Sequence, residues 1–244
     1  MALILLIETA TEVCSAAIAV DGRVVVLEEM PHSLNHAALL TLQIAACAQR
    51  SGIPLTELDA VAVSSGPGSY TSLRVGASVA KGICYALDKP LIAVDTLHAL
   101  AKASFDLEKL GASNPPVRNF YIPMLDARRQ EVWLAVYNTD LDLLMPAQPL
   151  NFENNLFFDF MQAFVSESSD TRWVIAGNGG QKLRSGKMDK ETVFSPVNSC
   201  SAVHLAALAE AFFQNSDFQD VSYWTPVYMK PPNITTPSKK TECE

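Results

Sequence analysis

The chain has 244 residues, 49% of them hydrophobic, which is enough for one large domain or two small ones with a sizeable core. Its net charge of -8 and its pI of about 5.0 argue against unaided nucleic-acid binding, which depends on lysine and arginine neutralising phosphates. Five scattered cysteines without a CxxC pair indicate a reducing, cytoplasmic compartment, and no run of about 18 apolar residues predicts a membrane span.

The first strands are predicted from an apolar run and a hairpin signal. Residues 3–9 are almost continuously apolar, as in a strand covered on both faces, and the run lacks the basic lead-in of a signal peptide. Asp21-Gly22 separates the apolar runs 14–20 and 23–28. Because Asp-Gly tolerates positive φ at both turn positions, this spacing predicts a two-residue hairpin.

The rest of the first hundred residues alternates between helix and strand, which predicts one mixed sheet with helices on its faces. The predicted elements are helix 33–50, strand 59–64, helix 71–87, strand 91–94 and helix 96–105.

A second unit is predicted after the break at Asn114-Pro115-Pro116. Its predicted elements are strands 120–125 and 131–137 around the turn 126–129, helix 155–165, strand 173–176 before the glycine loop 177–180, and helix 202–213. The predicted division is an N-terminal lobe 1–105, a C-terminal lobe 106–200, a segment 201–229 that packs back between the lobes, and a loose tail 230–244.

Two predicted helices lack a polar face. Helix 33–50 carries one charged residue, Arg50, and helix 71–87 carries two, Arg74 and Lys81. A helix that lies on a sheet normally shows charge on its outer side, so both sides of these helices are predicted to be buried. One side of the first helix carries Leu39, Leu42 and Ala46, and the other carries Leu40, Ile44 and Cys47.

The second helix also carries a stripe of small residues, Ser72, Gly76 and Ala80, at a spacing of four. Glycine inside a helix costs about 1 kcal/mol relative to alanine and is tolerated where a neighbouring backbone comes close. These helices are either buried within their own fold or form a contact with another subunit, and the second interpretation is favoured. The predicted contact set is Leu39, Leu42, Ala46, Ser72, Leu73, Gly76 and Ala80.

Two glycine-rich loops are candidate anion or nucleotide contacts. The loop 65–69 joins a strand to a helix N-terminus, where backbone N–H groups favour an anion, although a tight turn with Ser69 or Thr71 as helix cap is the favoured interpretation. It matches neither GxGxxG nor the P-loop. The candidate contacts are Gly66, Gly68, Ser69, Gly177 and Gly179.

Two other clusters of polar side chains give weaker evidence for a functional site. His32 and His36 have the i, i+4 spacing of metal ligands on a helix, but without a convincing third ligand no metal is predicted. Asp126, Arg128, Arg129 and Glu131 form a dense charged cluster that either binds a ligand or makes ion pairs within the turn. A Ser-His-Asp or Cys-His set with a nucleophile elbow is not visible, so no catalytic residue is predicted.

Several of these segments together resemble the TsaB/YeaZ family of bacterial threonylcarbamoyladenosine biosynthesis subunits. The motifs run in family order over nearly the whole chain. They are IETATEVCSAAIA (7–19), HS (32–33), GPGSYTSLRVGASVAKG (66–82), DTLHALA (95–101), DARRQEVWLAVY (126–137), GNG (177–179) and PVY (226–228).

The resemblance implies an α/β fold of two RNase-H-like lobes, as in actin, Hsp70 and sugar kinases. It implies a cytoplasmic, non-catalytic subunit that activates a TsaD-like paralogue, with a TsaE-like ATPase, in the modification of adenosine 37 of tRNA. In the family the helices equivalent to 33–50 and 71–87 form a dimerisation bundle, which is also where an isolated chain would pair with a second copy. The chain alone is expected to bind no cofactor, and ATP or ADP belongs to the complex.

Features of the catalytic relatives are missing here. The His-x-x-x-His of the catalytic paralogue is reduced to His98, and the phosphate hairpins of the kinases are replaced by Glu8-Thr9-Ala10 and Asp126-Ala127-Arg128. Only the loop 177–180 resembles an adenosine-binding element. The alternatives are therefore less favoured: a kinase-like phosphotransferase or ATPase with Asp126 as its acid, and, more remotely, a metallopeptidase.

Overall fold

A computed structural model describes residues 1–32, 35–111, 118–152, 171–183 and 192–229. The first half of the chain forms strands β1 (Leu3–Glu8), β2 (Cys14–Val20), β3 (Arg23–Met30), β4 (Ala60–Ser64) and β5 (Leu91–Val94) with helices α1 (His36–Ser51), α2 (Tyr70–Leu87) and α3 (Thr96–Gly111). The second half forms β6 (Arg118–Asp126), β7 (Glu131–Tyr137), β8 (Leu143–Asn151), β9 (Thr171–Ala176) and β10 (Thr192–Phe194) with α4 (Ala206–Gln214). Short 3-10 helices lie at Leu55–Glu57, Asn178–Leu183 and Ala202–Leu205.

The two five-stranded sheets share one topology. The first has the order β3-β2-β1-β4-β5 and the second the order β10-β9-β6-β7-β8. Strand β1 pairs antiparallel with β2 and parallel with β4, and β6 correspondingly pairs antiparallel with β7 and parallel with β9. Each sheet therefore consists of three antiparallel strands followed by two parallel ones. The predicted pair of similar α/β lobes is therefore confirmed, whereas the exact four-part division of the chain stays a prediction.

The sequence of β1 is apolar almost throughout because side chains on both of its faces are buried. Leu5 and Ile7 pack on the side of the sheet covered by α1 and α2. Ile4 and Leu6 pack on the opposite side, against α4 and the 3-10 helix before it. The hairpin after β2 has Asp21 and Gly22 at φ 47° and 72°, as the Asp-Gly signal predicts.

Several predicted boundaries differ from the structure for local reasons. Helix α1 begins at His36, because Asn35 is its N-cap and accepts a hydrogen bond from the backbone N–H of Ala38 at 3.3 Å. Ser69 is the N-cap of α2 but does not cap it through its side chain; its hydroxyl accepts instead from Ser72 at 3.0 Å. Ser69 is thus the N-cap residue, one of the two predicted, but without the side-chain hydrogen bond to the helix backbone.

Other differences concern the second half of the chain. The predicted helix 202–213 opens as a 3-10 helix over its first four residues, and the glycine loop 177–180 continues into a 3-10 helix. The sequence did not predict β8, whose Pro146 and Pro149 are compatible only with an edge strand. The predicted helix 155–165 and the tail 230–244 lie outside the described residues.

The segment after α4 returns to the first sheet and is here called the C-terminal strap (residues 219–229). Its backbone bonds to the first lobe at both ends: Gln219 N to Leu91 O and Val227 N to Ser65 O, each at 2.8 Å. Between them, Lys81 Nζ on α2 donates to the carbonyls of Ser222 and Trp224. Within the described part of the chain, none of the helices has the length and apolar character needed to cross a membrane.

Candidate functional site

A cleft of about 930 Å³ separates the two lobes. The first lobe contributes the β1–β2 turn at residues 10–12 and the loop and helix start at residues 67–72. The second lobe contributes the β6–β7 turn at residues 125–128 together with Asn178 and Gln181, and the strap closes one side with residues 227–229. Much of this cleft is lined by turns at strand ends, where ligands of open α/β sheets usually bind, and the helix starts and the strap complete it.

The loop between β4 and α2 is held from three directions. Ala10 O accepts from Ser69 N at 2.7 Å, Gly66 O accepts from Thr96 N at 3.0 Å, and Ser65 O accepts from Val227 N. Gly66 has φ +104°, and a Cβ there would lie 2.8 Å from the carbonyl oxygen of Val227. The glycine is therefore required by the strap that crosses it, and Gly66 itself is buried.

The candidate anion contacts divide into two groups. Gly68 and Ser69 line the cleft, and they remain predicted contacts. Gly177 and Gly179 are buried, and a Cβ at either would lie within 3 Å of the backbone of β6. The structure thus corrects the prediction for Gly66, Gly177 and Gly179, because close packing of the chain on itself explains these glycines and none of them lines the cleft.

Asn178, between two of those glycines, links the lobes and was not predicted. Its Oδ1 accepts from the backbone N–H of Asp126 at 2.9 Å, and its Nδ2 lies 3.4 Å from Glu12 Oε2 in the β1–β2 turn. A single amide therefore bridges the floor of the cleft.

The charged cluster at the β6–β7 turn makes contacts within the second lobe. Asp126 forms an ion pair with Lys182 at 2.5 Å and accepts from the backbone N–H of Arg128 at 2.6 Å. Arg128 and Arg129 occupy left-handed conformations, with φ 69° and 51°. Asp126 is thus bound by a lysine of its own lobe, which does not favour it as the free acid of a phosphotransferase.

The histidines do not form the arrangement expected of metal ligands. His36 is buried on α1, and its Nε2 lies 3.3 Å from Val13 O, whereas His32 is exposed and precedes the helix. The two side chains therefore do not share a helix face, although both line the cleft. Residues 1–32, 35–111, 118–152, 171–183 and 192–229 contain no group of three His, Cys, Asp or Glu side chains placed to hold a metal ion.

Glu8 lies buried at the end of β1, beneath the cleft. Its carboxylate accepts from the backbone N–H of Ala10 at 2.5 Å, which shapes the β1–β2 turn on which Ser69 and Gly68 rest. Burial removes water from the charged form and raises the pKa of Glu8 to about 7.

This pKa predicts a pH-dependent contribution to stability. Because the unfolded carboxyl has a pKa near 4.5, the folded chain retains a proton between pH 4.5 and pH 7 that the unfolded chain has lost. The free energy of unfolding therefore falls as the pH rises through that window, by about 3 kcal/mol. Glu8→Gln cannot ionise, so its unfolding free energy relative to wild type should rise by about that amount between pH 5 and pH 8. Denaturant titrations of both proteins measure this difference, and parallel pH profiles would contradict it.

The predicted contact helices lie side by side on one face of the first sheet, and the structure shows which of their sides is covered. Leu73 and Ala80 are buried in the core with the sheet. Gly76 is buried too, and a Cβ there would lie 2.3 Å from Oγ1 of Thr9. These three residues were predicted to contact another subunit; they are corrected here to core positions, since a partner cannot reach them.

The opposite sides of α1 and α2 are exposed to solvent and form what we call the helical face. Leu42 is 66% exposed and Tyr85 is 87% exposed. Most other members are small or polar and uncharged, and one is charged: Ala38, Thr41 and Ala45 on α1, and Arg74, Ser78 and Gly82 on α2. Leu39, Ala46 and Ser72 are half-buried at its border, and with Leu42 they remain the predicted contacts that a partner can reach.

Comparison with known proteins places the chain in a family. The family model described as TsaD, tRNA N6-adenosine threonylcarbamoyltransferase, matches residues 31–236. The tRNA threonylcarbamoyladenosine biosynthesis protein TsaB of Escherichia coli is 31% identical over 180 residues, which cover 73% of this chain and 72% of that protein. TsaB of Haemophilus influenzae is 33% identical over 132 residues, so the match spans 54% of this chain and about half, 52%, of that relative.

Solved structures agree on the fold. YeaZ from Pseudomonas aeruginosa superposes with a TM-score of 0.76 at 24% identity, over 93% of this chain and 100% of that one. An inorganic polyphosphate/ATP-glucomannokinase from Arthrobacter superposes with a TM-score of 0.53 at 11% identity, over 87% and 100% of the two chains. The predicted fold class, shared with actin-like proteins and sugar kinases, is thereby confirmed. These matches show that the chain belongs to the TsaD family and, within it, to the TsaB/YeaZ group.

Proposed function

We propose that the chain is a non-catalytic subunit that binds a TsaD-type threonylcarbamoyltransferase through the helical face and activates it to form N6-threonylcarbamoyladenosine at position 37 of tRNA. The observation that carries the proposal is Gly82, a glycine in the interior of α2 with solvent-exposed surroundings. A Cβ at Gly82 would meet no atom of its own chain within 4 Å.

An exposed glycine inside a helix is costly, by about 1 kcal/mol relative to alanine. For Gly76, one turn and a half earlier, the chain itself explains the glycine, because Thr9 occupies the space. Nothing within the described chain explains Gly82. A helix of another subunit that passes close to α2 at this point would do so, as small residues do at other close helix crossings.

The composition of the helical face supports the same conclusion. The cores of protein interfaces are poor in charge and rich in aromatic residues, and this face carries Leu42 and Tyr85 among alanine, serine and threonine. Lys81, the charged residue nearest to Gly82, directs its ammonium group to carbonyls of the strap. Arg74, exposed on the same side of α2, contacts Tyr70 and Tyr228: its guanidinium lies over the Tyr70 ring, and its Nε donates to the Tyr228 hydroxyl at 3.3 Å. The face is therefore poor in charge, with this one arginine packed against aromatic rings.

The choice of partner rests on the relatives. The relatives from Escherichia coli and Haemophilus influenzae carry the name TsaB, and the matching family model is named for the threonylcarbamoyltransferase TsaD. The net charge of -8 favours a division of labour in which the catalytic partner, rather than this chain, contacts the tRNA. A TsaE-type ATPase would be the further member of the complex, with ATP or ADP bound there. A second copy of the chain would cover the same face when the partner is absent.

The non-catalytic role is supported by the surroundings of His98 on α3. His98 stands alone where the catalytic paralogue has two histidines, and its ring stacks on Tyr137 with centroids 5.3 Å apart. Burial lowers the pKa of His98, so the imidazole is neutral and packed rather than available to a metal or substrate.

Reconstitution tests the proposal. The purified chain is mixed with a TsaD-type protein, and the mass of the complex is measured by light scattering after gel filtration. Threonylcarbamoyladenosine is then quantified in tRNA with and without the chain, in the presence of the remaining components. We expect a stable complex and modification that depends on the chain. Full modification without the chain, or ATP turnover by the chain alone that is lost in Asp126→Asn, would contradict the proposal and favour the kinase-like alternative.

A further inference from the structure

The charged side chains of the two contact helices are all positive, although the whole chain has a net charge of -8. Helices α1 and α2 carry Arg50, Arg74 and Lys81, and neither helix contains an aspartate or a glutamate. Arg50 pairs with Glu28 on β3, and Lys81 donates to carbonyls of the strap. Among the residues that the structure describes, no carboxylate pairs with Arg74.

Arg74 lies within the surface that a partner would cover. It is exposed and shares one stripe of α2 with Ser78 and Gly82, four and eight residues later. At the rise of an α-helix, Arg74 and Gly82 are about 12 Å apart along the axis. An interface of ordinary size covers about 800 Å² on each partner, so a subunit that crosses α2 closely at Gly82 would cover Arg74 as well.

The guanidinium of Arg74 is held in place by two tyrosines. Its Cζ lies 4.2 Å from the centroid of the Tyr70 ring, and its Nε donates to the hydroxyl of Tyr228 at 3.3 Å. The two rings contact each other, with centroids 4.5 Å apart. Within the described part of the chain, the other donors of Arg74, on its two Nη groups, have no acceptor. The fork is therefore fixed in position while its Nη groups remain available.

Covering this arginine has an electrostatic consequence. A charge that is removed from water without a counter-charge and hydrogen-bond acceptors destabilises the complex. The Tyr70 ring attracts the cation, but it accepts no hydrogen bond from the Nη groups in this arrangement. A planar fork of N–H donors matches the two oxygens of a carboxylate, and such bidentate pairs are among the strongest polar contacts in proteins.

We propose that a TsaD-type partner places an aspartate or glutamate carboxylate against the Nη groups of Arg74 when it covers the helical face. The inference rests on the proposed function and adds the chemistry that the partner must present at this point. A partner surface with a cation here would be repelled, and an uncharged one would leave the guanidinium buried without a counter-charge. Arg74 therefore contributes to the choice of partner as well as to affinity.

Arg74→Met and Arg74→Lys test the proposal in the full chain. Methionine keeps an unbranched stem but removes the charge and the donors, whereas lysine keeps the charge and removes the planar fork. The affinity of each labelled chain for a TsaD-type partner is measured by fluorescence, with circular dichroism as the check of folding. We expect Arg74→Met to stay folded and to bind at least about 30-fold more weakly, and Arg74→Lys to lose less.

A double-mutant cycle identifies the carboxylate. Each aspartate and glutamate on the surface of the partner is changed to its amide and tested against the wild-type and Arg74→Met chains. One of these changes should weaken binding to the wild type as much as Arg74→Met does, and should weaken binding to Arg74→Met little further.

Arg50→Met is the matched control, because it removes the same charge from the end of α1, where Glu28 already pairs with it. Its affinity should equal that of the wild type. If the wild type binds the partner but Arg74→Met binds equally well, or if no amide substitution couples to Arg74, the carboxylate contact is wrong and the proposed function stands. Failure of the wild type to bind the partner at all would overturn both.

Discussion

Gly76→Leu is expected to unfold the chain rather than to remove a contact with a partner. A Cβ at this position would lie 2.3 Å from Thr9 Oγ1, and both residues are buried between α2 and the β1–β2 turn. The leucine must therefore push the turn away from the helix, which should lower the free energy of unfolding by roughly 3 kcal/mol or more. Thermal and denaturant unfolding followed by circular dichroism measure the loss.

Gly82→Leu is the matched control, because it makes the same change six residues later on the same helix. Open space surrounds Gly82, and leucine is the better helix former, so this variant should be as stable as the wild type or more stable by up to about 1 kcal/mol. If Gly76→Leu unfolds at the same denaturant concentration as Gly82→Leu, the assignment of Gly76 to the core is wrong.

The second large effect concerns binding. Gly82→Leu is expected to weaken the complex with a TsaD-type partner at least about 100-fold, because four additional carbon atoms would separate two closely crossing helices. The affinity of the fluorescently labelled chain for the partner measures this effect. Since the variant stays folded, loss of binding cannot be attributed to unfolding.

Ala211→Leu serves as the control for binding. It introduces the same side chain at an exposed position of α4, on the other side of the first sheet. Its affinity should equal that of the wild type. Unchanged affinity of Gly82→Leu, or an equal loss in Ala211→Leu, would argue against the helical face as the contact surface.

The strands of the first lobe could be predicted because each leaves a local signal. Strands β2 and β5 have the predicted bounds, Cys14–Val20 and Leu91–Val94, since burial on both faces makes them continuous apolar runs. Asp21-Gly22 marked the hairpin because both residues accept positive φ. In contrast, β8 contains two prolines and is stabilised only by its pairing with β7 as an edge strand, which leaves no local signal.

The orientation of the contact helices could not be predicted, because both of their sides are apolar. The side of α2 that meets the sheet is decided by the fit of Gly76 against Thr9, which joins residues far apart in sequence. The sequence therefore predicted both helices but not which side of α2 is buried, and Leu73, Gly76 and Ala80 lie on the buried side.

Contact between residues far apart in sequence also explains why the bridge across the cleft was not predicted. Asn178 bridges to Glu12 over 166 positions in the chain. A contact of this kind depends on how the lobes meet, and the GNG motif that contains Asn178 gives no sign of it.

Site-specific photocrosslinking tests the contact surface most directly. A benzophenone amino acid replaces Tyr85 on the helical face or, as a control, Ala211 on α4, and each protein is irradiated with a TsaD-type partner. We predict a covalent adduct with the mass of one chain plus one partner from position 85 and none from position 211. An adduct from position 211 without one from position 85 would contradict the proposed contact surface.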